Sequence, residues 1–294
     1  MKELTTLHRT KAIPIVLKCI VILVVGSATT TAATDLRTLN LSLLDAAKRG
    51  ESELVASRLL DGASISTRDR FGNTALIYAA RGAHVGTARV LIEAGANAKQ
   101  ANVSGHTPLF EAAGSGDIEL VRLLLQQDVD PNVVNMKQVS PLANAIFHKN
   151  RSIAELLLQR GARPDFVDST GKNGAIYAAA NGETEILRRI LDSGTEHAVP
   201  LDAQYAHDLT LLMWAAGYGN AVAVEMLVDR GAESNLTDDR GKTALMIAAE
   251  NGHADVVSVL LNSGADAEIR DKDGRTARDL ASIAGQSETA LILN

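Results

Sequence analysis

From about residue 41 the apolar and polar positions recur in one order, and the order returns every 33 residues. A short block marks each return: Thr74-Ala75-Leu76, Thr107-Pro108-Leu109, Ser140-Pro141-Leu142, Thr210-Leu211-Leu212, Thr243-Ala244-Leu245 and Thr276-Ala277-Arg278. The slot at 173 holds Asn173, the next start at 210 follows a gap of 37, and a worn copy lies at 41–50. Thr or Ser at the head suits a helix N-cap, and Pro108 and Pro141 fall in a first turn, where the missing N–H costs nothing. Small pairs such as Ala79-Ala80, Ala112-Ala113 and Ala215-Ala216 follow on one face and let helices approach closely. A second apolar run at helical spacing comes next, as in Ile118, Val121, Leu124 and Leu125. It stops at Gly-Ala, as in Gly95-Ala96 and Gly231-Ala232, and a polar stretch such as Asp69 to Gly72 turns the chain back. One such helix pair cannot bury its apolar face alone, whereas stacked copies can. The pattern predicts an all-α solenoid of tandem helix-turn-helix units over residues 37–294. About eight units are expected including caps, with blocks starting at 41, 74, 107, 140, 173, 210, 243 and 276.

Thr107-Pro108-Leu109 with Ala112-Ala113, the pair Gly252-His253, Val256-Val257, Leu260-Leu261 and Gly264-Ala265-Asp266 resemble the ankyrin repeat family, exported bacterial members included. The resemblance implies projecting β-hairpin loops between the helix pairs and a concave face of first helices and hairpin tips. It also implies protein binding without activity of the chain's own. The family favours His just after the Leu of the block, but Ile77, Phe110, Ala143, Ile176, Met213 and Met246 stand there, so apolar packing is expected to replace that hydrogen bonding. The loop Val133 to Val139 lacks the usual Gly, Lys149-Asn150 replaces Gly-His, and the next unit opens Asn173-Gly174-Ala175-Ile176. These two units read as the least regular.

Ahead of the repeats, Lys2, Arg9, Lys11 and Lys18 precede the apolar run Cys19 to Ala28 and a small-residue stretch ending at Ala33. Basic, apolar, small is the order of an export signal. Residues 1–33 are expected to be a cleaved signal peptide and 34–36 a short linker, with cuts after Ala28 or Ala32 as alternatives. The destination is then the periplasm or the exterior, without stable membrane insertion after cleavage; an uncleaved N-terminal anchor is the competing reading. Losing this segment takes the net charge from -6 to about -9, and no Lys/Arg run follows residue 18, so nucleic acid is a poor partner. The one Cys, Cys19, leaves with the signal, which excludes disulfides, a thiolate nucleophile and a Cys-based zinc site.

No phosphate-loop, dinucleotide, HExxH or GxSxG pattern occurs. His197, Asp202, His207 and Asp208 share one loop but lack a fixed ligand spacing, and the recurring loop Asp residues suit backbone hydrogen bonding. Neither an enzyme nor a cofactor or metal site is expected. The expectation is a monomeric scaffold or adaptor with a protein partner; the alternatives are an accessory factor that matures a periplasmic enzyme and a self-associating repeat. Five of nine aromatics, Tyr78, Phe147, Tyr177, Trp214 and Tyr218, map to the concave strip, with His148 beside them. They are the candidate contact surface, with packing against the next unit as the rival role. The insertion from Ser193 to Leu209 is expected to lengthen one loop beside them, and Phe71, Phe166 and Tyr205 are further loop candidates.

Overall fold

The computed structural model describes residues 35–194 and 196–294. The expected signal peptide, with Cys19, lies outside the described residues. The described chain forms eight successive helix pairs. The first helices are α1 (Leu36–Arg49), α3 (Ala75–Arg81), α5 (Pro108–Ser115), α7 (Pro141–Phe147), α9 (Gly174–Asn181), α11 (Leu211–Gly217), α13 (Ala244–Asn251) and α15 (Ala277–Ile283). Their partners are α2 (Ser52–Leu60), α4 (Val85–Glu93), α6 (Ile118–Leu125), α8 (Arg151–Gln159), α10 (Thr184–Leu191), α12 (Ala221–Asp229), α14 (Ala254–Asn262) and α16 (Ser287–Ile292).

From the second unit on, each first helix starts where the block head caps it. Thr74 Oγ1 accepts the Ile77 N–H at 3.2 Å, Thr107 that of Phe110 at 3.1 Å, and Ser140 that of Ala143 at 3.1 Å. Asn173 does the same for Ile176 at 2.9 Å, so its amide replaces the hydroxyl without loss of the cap. Thr276 closes a reciprocal capping box with Asp279. The paired alanines of α3, α5, α9, α11 and α13 are wholly buried, as are Ile77 and Ile176, and Met213 and Met246 nearly so. Apolar packing therefore fills the places where the family favours His.

First helices pack closely on the first helices of the next unit. The second-helix row is looser, most of all from α6 through α12. Alanine spacers on the first-helix row allow this close approach, where the second-helix row carries Leu, Ile and Val.

The loops correct one expectation. Projecting β-hairpins were expected, but among the described residues there is no β-strand, only an isolated bridge between Arg68 and Thr74. In six of the loops a side chain five residues before the block head organises the turn. Asp69 Oδ1 accepts the N–H groups of Phe71 (2.9 Å) and Asn73 (2.8 Å), and Asn102, Asn135, Asp168, Asp238 and Asp271 repeat this pair of bonds. Each of these loops also closes with a backbone bond across the turn, such as Asp69 N–H to Asn73 O (3.1 Å), and does not extend into a ladder. Successive loops are then joined by single backbone bonds, such as Val103 N–H to Phe71 O (2.9 Å) and Met136 N–H to Ser104 O (3.0 Å).

Candidate protein-binding groove

The candidate strip divides into anchored and exposed residues. Tyr78 and Tyr177 occupy the same position of their units, and both are tied inward: Tyr78 OH donates to Asp69 Oδ2 at 2.6 Å and Tyr177 OH to Asp168 Oδ2 at 2.5 Å. Burial, then the neighbouring carboxylate, raises the pKa of each phenol. Burial works against the Asp168 carboxylate, but bonds from Tyr177, Thr170 and the backbone of Lys172 and Thr170 outweigh it and hold its pKa below the ordinary value. These tyrosines lock a loop onto the helix that follows it.

Trp214 stands at the same position of the sixth unit without such a lock. The side chain five residues before its block head is Tyr205 instead of Asp or Asn, and the Trp214 indole N–H is buried with no hydrogen-bond partner. Trp214 instead stacks on Tyr218 (centroids 6.2 Å apart), with Lys172 Nζ 5.1 Å from its ring centre. Tyr205 turns inward, half-buried against the core.

Phe147 and Tyr218 are 57% and 54% exposed, the two open aromatics of the strip. Phe147 meets the Tyr177 ring edge-on at 6.1 Å and His148, also exposed, at 5.2 Å. Each open ring thus leans on a fixed one. On the N-terminal side of Tyr177 lies a groove of about 890 Å³ between first helices and loops, walled by Arg81, His106, Glu111, Lys137, Phe147 and Tyr177 among others. Glu111 takes two bonds from Arg81 (2.6 and 3.1 Å) and one from His106 Nδ1 (3.0 Å). Burial opposes its charge, but Arg81 and His106 prevail and lower its pKa. Asn135 Nδ2 donates to His106 Nε2 at 3.3 Å, so the chain Arg81–Glu111–His106–Asn135 ties three units along the groove wall.

Sequence reasoning offered Phe71 at the loop tips but missed Val103 and Met136 beside it. Phe71, Val103 and Met136 are exposed at 54%, 66% and 74%, forming an apolar ridge of loop tips that the inter-loop bonds hold in line. The signal was present as Val103 and Met136 at one register position, 33 residues apart. The insertion also lies differently from expectation. Val199 is buried, and His197, 3.5 Å from Asp165, lies with Glu155, Arg188 and Arg189 of the second helices. That part of the insertion covers the outer row, not the flank of the aromatic strip. His207 pairs with Asp239 at 2.9 Å and Asp202 accepts the Glu233 N–H at 3.0 Å, so the loop's His and Asp residues point to separate partners. Among the described residues no three His, Cys, Asp or Glu side chains gather as metal ligands, and no helix is long and apolar enough to cross a membrane.

Comparison with known proteins agrees with this architecture. A family model described as ankyrin repeats in three copies matches residues 43–135, 142–238 and 212–294. The chain is 33% identical over 79 residues to E3 ubiquitin-protein ligase hecd-1 of Caenorhabditis elegans, which covers 27% of this chain and 3% of the relative. It is similar to ankyrin repeat, SAM and basic leucine zipper domain-containing protein 1, 33% identical in Oryctolagus cuniculus and 35% in Saimiri boliviensis boliviensis over 63 residues. That match covers 21% of this chain and 12% and 13% of those relatives, so the chain spans only a small part of each. Capped first helices, buried alanine pairs and loops in a 33-residue register recur through nearly all of the described residues, as the family model requires, and the chain belongs to the ankyrin-repeat family.

Proposed function

We propose that this chain is an exported adaptor that grips a protein partner in the groove between its first helices and loop tips. Ankyrin repeats are non-catalytic protein-interaction modules, and that coarse role follows from family membership. The use of this groove is our reading, and one observation carries it: Phe147 and Tyr218 are open to solvent while each rests on a ring packed against the core. Pre-fixed aromatics lose little entropy on contact, which is what an interface anchor needs. Tyr177 and His148 line the groove beside Phe147, Trp214 carries Tyr218 outside it, and Tyr78 and Tyr205 brace the loops from within.

A photo-reactive phenylalanine analogue at position 147 or 218 should crosslink one common partner. The same analogue at Val222, 66% exposed on the second-helix row, should not. Phe147→Ala and Tyr218→Ala should each weaken that complex about tenfold while the melting temperature stays put. Crosslinking through Val222 instead would place the interface on the opposite row, and a product made of two copies of this chain would favour self-association.

Export rests on the basic, apolar, small order of the first 33 residues. The mature protein, isolated from the periplasm or medium, should begin at Thr34. A mass that retains Met1 in a membrane fraction would replace this with an N-terminal anchor.

A further inference from the structure

The groove's charge says what kind of partner fits, and this inference rests on the groove being the contact surface. The chain is acidic overall, at -6, but the groove is not. Among the described residues that line it, Glu111 is the only carboxylate, and Arg81 and His106 already hold it. Lys137, on the loop side, is exposed and makes no ion pair among the described residues.

Lys172, outside the groove's lining and beyond Tyr177, is a second cation with no ion pair among the described residues. It directly precedes its unit's N-cap, as Lys242 does two units later. Lys242 Nζ reaches a carboxylate eight residues on, Glu250, at 2.5 Å. The residue eight after Lys172 is Ala180. With no carboxylate there, its ammonium sits against π faces, 5.1 Å from the Trp214 ring centre and 6.0 Å from that of Tyr177. Asp168 lies beneath, but Tyr177, Thr170 and two backbone N–H groups already occupy its oxygens. The cation site of this aromatic cluster is thus filled by the chain itself, so a cationic side chain of a partner would meet Lys172 head-on. An anion would meet a half-buried ammonium, and its apolar neighbours would meet Phe147 and Tyr218.

We propose that the groove and the aromatic cluster beyond Tyr177 together take an acidic segment of a partner protein, its carboxylates on Lys137 in the groove and Lys172 in the cluster, its apolar side chains on Phe147 and Tyr218. Trp214 is the only tryptophan, so its emission reports directly on occupancy beside Lys172. The probe is an end-blocked peptide alternating glutamate with leucine and phenylalanine, titrated into the full chain. Its glutamine and lysine counterparts and a single-stranded oligonucleotide serve as comparisons. The glutamate peptide should shift Trp214 emission and bind about tenfold more tightly than the glutamine form. Lys172→Gln and Lys137→Gln should each remove most of that difference. Circular dichroism checks Lys172→Gln for folding, and Lys137→Gln changes only an exposed loop side chain.

Equal binding of the glutamate and glutamine peptides, both lost with Phe147→Ala, would overturn the acidic preference and leave the groove reading standing. No emission change with any peptide at about 1 mM, or tighter binding of the oligonucleotide, would overturn the proposal. The crosslinking from positions 147 and 218 reports on the groove independently of either result.

Discussion

In four of the repeats the position ten residues after the block head shows how one role is filled by different side chains. His84 Nε2 bonds Lys48 O at 3.1 Å and His253 Nε2 bonds Gly217 O at 3.1 Å, each reaching back to the end of the preceding first helix. Asn150 Nδ2 donates to Ala113 O (2.9 Å) and Gly114 O (3.2 Å), and Asn220 Nδ2 to Ala179 O (3.0 Å) and Ala180 O (2.6 Å). Carbonyls at a helix C-terminus lack intrahelical donors, so these bonds satisfy them while stitching one unit to the next. Asn220→Ala leaves two carbonyls short of a donor and should destabilise the chain by about 1–3 kcal/mol. Asn220→His should recover most of that loss, because imidazole does the same work at 84 and 253. Chemical denaturation of the three proteins checks both, and a histidine variant as weak as the alanine one would refute the shared role. The Lys149-Asn150 pair looked irregular because a periodic reading compares residue names. Compared by donor capacity, Asn150 conforms.

At the scale of the element, helices were far more legible than loops. A helix announces itself through the spacing of Leu120, Val121 and Leu124 and through a cap such as Thr107, both local features. The loop conformation depends on whether a backbone N–H goes to a side chain or to another strand, and polarity alone does not separate these outcomes. Asp69 was read as a backbone-bonding turn residue, yet the hairpins expected from the family were kept beside it. The observed bonds bear out the turn role, since Asp69 takes the N–H groups of Phe71 and Asn73, while pairing around that turn stops at the single Arg68–Thr74 bridge. The missing Gly in the loop from Val133 was legible, and its consequence is visible: Gln138 takes the left-handed conformation at φ 62°, as Asp208 does at φ 58° two loops later. The candidate site was legible in part. Helical register put Phe147, Tyr177, Trp214 and Tyr218 on one strip, but which rings stay open depends on hydrogen bonds to Asp168 and on packing, which register does not encode. The cation beside Trp214 was not legible, because Lys172 stands out only against the carboxylate that Lys242 has.

For the molecule as a whole, stability is a sum over units and the interfaces between them, so a device repeated in many loops acts many times over. The loop carboxylates are such a device. Asp69, Asp168 and Asp271 are all pushed toward a higher pKa by burial and pulled lower, to a net depression from the ordinary 3.8, by donated hydrogen bonds: from Tyr78 and Asn73 to Asp69, from Tyr177 and Thr170 to Asp168, from Arg275 to Asp271. A carboxylate with a depressed folded-state pKa stabilises the fold above its unfolded value, and the contribution drains away as pH falls through the folded one. Glu111, lowered by Arg81 and His106, adds to the same limb. The melting temperature should therefore hold steady from about pH 7 to 5 and fall steeply below about pH 4. Asp168→Asn keeps an acceptor for the loop N–H groups, as Asn102 and Asn135 do, but cannot titrate. Its melting temperature at neutral pH should lie below that of the parent, and the gap should close as the pH drops toward 3 and the parent's own carboxylate protonates. Melting curves of the two chains across that range decide the matter: a gap that stays constant with pH would mean that Asp168 holds the loop by geometry alone, with no share in the acid limb.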